Sequence, residues 1–305
     1  MNIVLTVLNI TAPVFLLAAI GIVWVKLGFE YRVQFVTRLA MTLAVPCLIF
    51  VALMRTEVAP EALAALSLAS LAAYAVVMIA SFLLVKALGL DVPTFVAPLA
   101  FGNTGNLGLP LALFAFGAEG LGYAVVVFAV MAILSFTIGI WMVSDGGSLK
   151  RVVQEPLVAA TLLGALFLWQ GWQTPVFLTN ALELIGQMAI PLMLITLGVA
   201  VARLETKAMG QALVLSLVKV LICVAAAYGA AVLFDLEPVA AAVLIVQVAT
   251  PVAVTSYLLA EKYGTDAQPV AGLVVASTLL SVVALPLILA LCQLLEPSLS
   301  FTGGF

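Results

Sequence analysis

The segment GNTGNLGLP, residues 102–110, sets Asn103, Thr104 and Asn106 among three glycines and a proline in the middle of an apolar run. A second polar cluster, VQVATPVAVTSY at 246–257, gathers Gln247, Thr250, Thr255 and Ser256 around Pro251. Amides and hydroxyls donate and accept hydrogen bonds without carrying charge, so their natural chemistry is recognition. The chain has no histidine, and its three cysteines, Cys47, Cys223 and Cys292, each stand alone in apolar sequence. That excludes histidine-based catalysis and a Cys/His zinc site, and it gives no disulfide framework. A membrane enzyme would need intramembrane acids, histidines or a metal motif. No aspartate lies inside a span and no aspartate pair, HExxH or DxxxD-type cluster occurs within one, so no catalytic residue, metal or cofactor is expected.

The elements that must hold these residues are membrane helices. Of 305 residues, 66% are hydrophobic and 8% charged, and the mean hydropathy is +1.33; a soluble domain is about half apolar and a quarter charged. Basic residues scattered singly exclude nucleic-acid binding. A bilayer core takes roughly 20 apolar residues as helix. Counting such runs predicts an all-α membrane protein of ten spans, near 8–27, 37–54, 62–86, 94–116, 119–142, 156–172, 177–201, 211–234, 238–260 and 268–295. The first apolar run has no basic residue before Lys26 and reads as a retained span, not a signal peptide. Nine of the eleven basic residues (Lys26, Arg32, Arg38, Lys86, Lys150, Arg151, Arg203, Lys207 and Lys262) fall on one face, against Arg55 on the other. Positive loops stay cytoplasmic, which puts both termini outside, in the inner (plasma) membrane.

The second half of the chain echoes the first. Pro13 meets Pro156, Pro46 meets Pro191, Pro93 meets Pro238, Pro110 meets Pro251, and Glu119 meets Glu261. The division is a first five-helix repeat at 1–143, a cytoplasmic linker at 144–155 and a second repeat at 156–305. Five is odd, so the two repeats lie inverted in the membrane, an arrangement typical of secondary transporters. Proline lacks an N–H and disturbs the carbonyl four residues back. Pro110 should therefore free the carbonyl of Asn106, and Pro251 that of Gln247. Irregular backbone survives at membrane depth only where protein or a water-filled cavity covers it. Spans four and nine are accordingly expected to be broken and to cross at the bilayer centre. Their half-helix N-termini suit an anion. Thr255 and Ser256 read equally as ligand contacts or as interhelical glue. Lys219, inside span eight, reads either as snorkelling to the interface or as the charge partner of a carboxylate. Glu183 is placed at the outer interface, and Trp24, Trp141, Trp169 and Trp172 near span ends.

At these residues the chain resembles the auxin efflux carrier family. GNTGNLGLPL carries that family's N-T-x-x-x-G-x-P-L pattern, and VQVATPVAVTSYLLAEKYG its ninth span: a Gln, a Pro four residues on, then A-x-x-Y. LAVPCLIF in span two and AIPL in span seven extend the likeness. The resemblance implies ten helices in inverted repeats, with a scaffold of spans one, two, six and seven and a mobile bundle of the other six. It also implies homodimers and export of organic anions by an elevator movement. By position, Asn103 matches the asparagine associated with substrate in the plant members. Their long cytoplasmic loop is absent, so regulation through it does not carry over, and neither does auxin as substrate. The expected partners are a small organic anion such as a malate-like acid, membrane lipid and a second copy. Two other readings stay open, a sodium-coupled organic-anion symporter of the bile-acid type and a sensor that binds without translocating. No ATP-binding P-loop occurs.

Overall fold

The computed structural model describes residues 3–55, 58–143, 156–204, 209–263 and 265–295. The expected linker at 144–155, with Lys150 and Arg151, and Lys207 lie outside these. Among the described residues every regular element is helical. α1 (Ile3–Lys26) is followed by α2 (Val33–Leu39), which runs through a π turn (Ala40–Ala44) into α3 (Val45–Arg55). Then come α4 (Pro60–Ala87), α5 (Val92–Ala100), a π turn (Thr104–Gly108), α6 (Leu109–Leu134), a third π turn (Ser135–Gly139) and α7 (Ile140–Val143). The second half holds α8 (Pro156–Gln170), α9 (Val176–Gln187), α10 (Ala189–Arg203), α11 (Met209–Leu233), α12 (Pro238–Val248), α13 (Val254–Tyr263) and α14 (Ala267–Leu295).

Seven helical stretches among the described residues are long and apolar enough to cross a membrane, and Ala159–Gln170 and Pro238–Val248 are shorter apolar helices. One of the seven, Thr104–Gly139, has 36 residues. As one straight rod it would be about 54 Å long, far more than a bilayer core of about 30 Å. Gly117 interrupts the rod: its φ of 64° and ψ of −151° kink the chain inside α6, a conformation open to glycine because it has no Cβ.

Two prolines act on their helices through π turns. Pro46 and Pro110 each stand two residues beyond one. With the proline N–H missing, the preceding N–H reaches five residues back: Val45 to the Ala40 carbonyl, and Leu109 to that of Thr104. The helix absorbs the lost donor by widening one turn. Pro191 instead follows an interruption at Met188, between α9 and α10.

Glycines set the closest helix approaches. A Cβ on Gly21 of α1 would overlap the Ile195 carbonyl of α10, and one on Gly198 would overlap that of Ala18. Gly164 of α8 and Gly186 of α9 lie in the same way against Leu53 and Leu48 of α3. Such small-residue contacts maximise van der Waals packing, the force that holds membrane helices together where lipid is as apolar as they are. They tie α1, α3, α8, α9 and α10 into one group. The helices α4, α6, α11, α12 and α14 pack on one another as a second. A cleft of about 1110 Å³ opens between the groups, lined by Leu48, Arg55 and Glu183 on one side and by Leu113, Glu119 and Tyr123 on the other. Arg55 and Glu183 form an ion pair there, and the Tyr123 hydroxyl donates to Glu237 at 3.1 Å.

Candidate functional site

α5 and α12 both stop inside the second group. After the Phe101 N–H bonds to the Ala97 carbonyl at 2.9 Å, Phe101 turns extended (φ −105°, ψ 122°). α12 ends at Val248, where the Thr250 hydroxyl donates back to the Gln247 carbonyl at 2.7 Å. The carbonyl that Pro251 deprives of its helical donor is thereby satisfied. The two unwound segments run antiparallel, with Gly102 opposite Val252. The Asn103 N–H donates to the Pro251 carbonyl at 2.7 Å, and the Val252 N–H to Ser277 Oγ of α14 at 2.9 Å. Gly102 makes the approach possible, since a Cβ there would overlap the Thr250 hydroxyl.

With the backbone paired, the side chains stand out. Asn103 is 4% exposed and Gln247 0%. Asn103 Nδ2, Thr104 Oγ1 and both polar atoms of the Gln247 amide are buried without a hydrogen-bond partner. Each such group costs about 1–3 kcal/mol, and buried polar atoms in folded proteins are otherwise paired. Four such atoms gather at one crossing. The Gln247 amide lies on Gly108, where a Cβ would overlap its Oε1. The half-helix ends add a field: α5 and α12 present negative C-termini, while the helix from Thr104 and α13 from Val254 present positive N-termini.

Lys219 of α11 does not snorkel. It is 2% exposed, and its Nζ donates to the Thr250 carbonyl at 2.9 Å and lies 3.7 Å from Cys223 Sγ. Among the described residues it is the one buried charged side chain.

The structure thus brings Asn103, Thr104, Gln247, Thr250, Pro251 and Lys219 together. Other expected residues fall elsewhere. The helix breaks at Phe101–Asn103, not at Asn106; Asn106 is half-buried in the π turn, and Pro110 sits within the helix that resumes. Thr255 is exposed on α13. Ser256 is half-buried and lines a separate cavity of about 20 Å³ with Phe101 and Ser135. None of the crossing's polar residues lines the large cleft, so in this conformation the site is closed off from it. Sequence reading missed Ser277, and Tyr74 of α4, which is fully buried with its hydroxyl unpartnered. The signal for Ser277 was available: Ser277, Thr278 and Ser281 form a polar cluster in the apolar middle of their helix.

A family model described as membrane transport protein matches residues 6–149 and 146–289. The chain belongs to this family. This membrane transport protein, in the auxin efflux carrier lineage whose motifs it carries, is similar to an uncharacterised transporter of Methanocaldococcus jannaschii. They are 26% identical over 197 residues, 61% of this chain and 64% of that protein. An uncharacterised transporter of Methanothermobacter thermautotrophicus is 30% identical over 194 residues, 62% of this chain and 64% of its own length. The matched stretch therefore spans less than two thirds of either relative.

Proposed function

We propose that this membrane transport protein is a secondary or facilitative carrier that exports a small organic carboxylate by an elevator-type movement. The observation that supports this most is the pair of amide nitrogens without partners, Asn103 Nδ2 and Gln247 Nε2, buried where two broken helices cross. An oxyanion would accept hydrogen bonds from Asn103 Nδ2 and Gln247 Nε2 at the positive ends of the half-helices. In this reading the chain crosses the bilayer ten times as two inverted repeats, counting α5 with the first part of α6, and α12 with α13, as one broken span each. Both termini face outward. The group of α1, α3, α8, α9 and α10 is the static scaffold, along which two copies pair. The second group carries the crossing past it, and the cleft between the groups marks the plane of sliding.

A thermal-shift screen of organic acids on purified protein tests recognition, because a ligand that binds the native state raises its melting temperature. Flux of the best ligand into proteoliposomes then tests carriage. Binding without flux would favour the sensor reading. The sodium symporter reading asks for carboxylate ligands at the crossing, and among the described residues no aspartate or glutamate is buried.

A further inference from the structure

We infer that Lys219 is the resident cation of the crossing: its tethered ammonium occupies the backbone-carbonyl position that a mobile monovalent cation would otherwise fill. The inference rests on the empty protein and holds whatever the substrate proves to be. It deepens the carrier reading by giving the site its own fixed positive charge.

Three observations carry it. First, Lys219 is buried inside a membrane-spanning helix, where an ammonium group persists only if its charge is compensated. Second, no buried carboxylate among the described residues supplies that compensation. The groups facing the ammonium are the Thr250 carbonyl on the unwound segment and the Cys223 thiol on its own helix. α14 contributes Ser277, which holds the next residue but one of the same unwound segment. Third, Thr250 lies two residues beyond the last residue of α12, where unsatisfied carbonyls and the helix dipole concentrate negative potential. Unwound carbonyls at half-helix C-termini are the oxygens that hold coupling cations in broken-helix transporters. In this chain a covalently attached cation takes one of them.

The two ends of the broken helices then divide the work. The negative end of α12 is neutralised permanently from within, and the positive ends remain free for an anion. Lys219 acts through Thr250 and the segment on which Asn103 is docked, so it is a positioning residue and not a ligand contact.

The test needs no substrate. Melting temperatures of the wild type, Lys219→Met, Lys219→Arg and Lys219→Ala are compared in choline, sodium and n-propylammonium chloride at equal ionic strength, with n-propanol as the uncharged control. The wild type should be indifferent to the cation. Lys219→Met keeps the length of the side chain but loses the charge, and should melt several degrees lower. Lys219→Arg keeps the charge and should recover most of that loss. Lys219→Ala should regain at least half of it in propylammonium or sodium, and nothing in choline or propanol. If Lys219→Ala folds only when purified in propylammonium or sodium, the inference is supported equally. Wild-type stability in Lys219→Met, or an Ala variant that responds to no cation or to propanol as well, overturns it. A wild type that no organic acid stabilises would count against the carrier reading alone.

Discussion

Asn103 donates its main-chain N–H to the Pro251 carbonyl at 2.7 Å, while its side-chain nitrogen is buried with no partner at all. The main chain of this one residue joins the two broken helices, and its side chain is left available. The two contributions are separable by mutation, because a side-chain substitution leaves the N–H in place.

Asn103→Ala should therefore weaken binding of the best organic acid by about 1–3 kcal/mol, roughly a 5- to 150-fold rise in Kd. The melting temperature of the empty protein should be kept or slightly raised, since a buried unpaired amide is removed. Isothermal titration and a melting curve on the same preparation check both halves. Normal binding with lost stability would make Asn103 interhelical glue and move the site elsewhere.

Gly108→Ala should abolish or sharply reduce binding through Gln247. A new Cβ overlaps Gln247 Oε1, and Gln247 has no exposed surface through which to retreat. Because both changes disable the same amide, Gly108→Ala and Gln247→Ala should not add: the double variant should bind about as weakly as either single one. Additive losses would show that Gly108 acts by another route.

Pro110→Ala restores an N–H to the helix beyond the break. The π turn at Thr104–Gly108 should then tighten toward α-helical winding, with stability unchanged or raised and transport reduced by altered geometry. Melting temperature and proteoliposome flux measured together decide it. A variant that transports normally would mean that the π turn is only a packing solution.

Topology is tested by cysteine labelling in intact cells. Ser148→Cys should react only with membrane-permeant reagents and Asn2→Cys with impermeant ones. The native background is low, because Cys223 and Cys292 are buried and Cys47 is half-buried. Reaction of both positions from the same side would sink the inverted arrangement.

The helical character of the chain, and the existence of irregular backbone near 102–110 and 246–257, were legible from hydropathy and from proline and glycine placement. The exact point of rupture was not. Pro110 acts on carbonyls upstream through a π turn, and the break itself falls at Phe101–Asn103, where the docking of Asn103 onto Pro251 supplies the hydrogen bond that a continuing helix would have made. The side of each residue was also hidden. Hydropathy gives the depth of Lys219 but not the direction in which it points, and only the packing of α11 against α12 turns it toward Thr250. Thr255 and Ser256 stand close to Pro251 in sequence. The restart of helix at Val254 nevertheless carries Thr255 out to the surface and Ser256 into another cavity.

The π turn at Thr104–Gly108 amounts to an α-helix with one residue too many. Each residue of an α-helix advances the winding by about 100°. The wide turn takes up the surplus residue locally, so Asn103 keeps nearly the phase relative to α6 that regular winding with one residue fewer would give it. The segment is thus a buffer of length: a one-codon deletion within it should leave a smoother helix with the crossing still in phase, whereas the same deletion in the regular winding beyond it would turn the crossing by that angle.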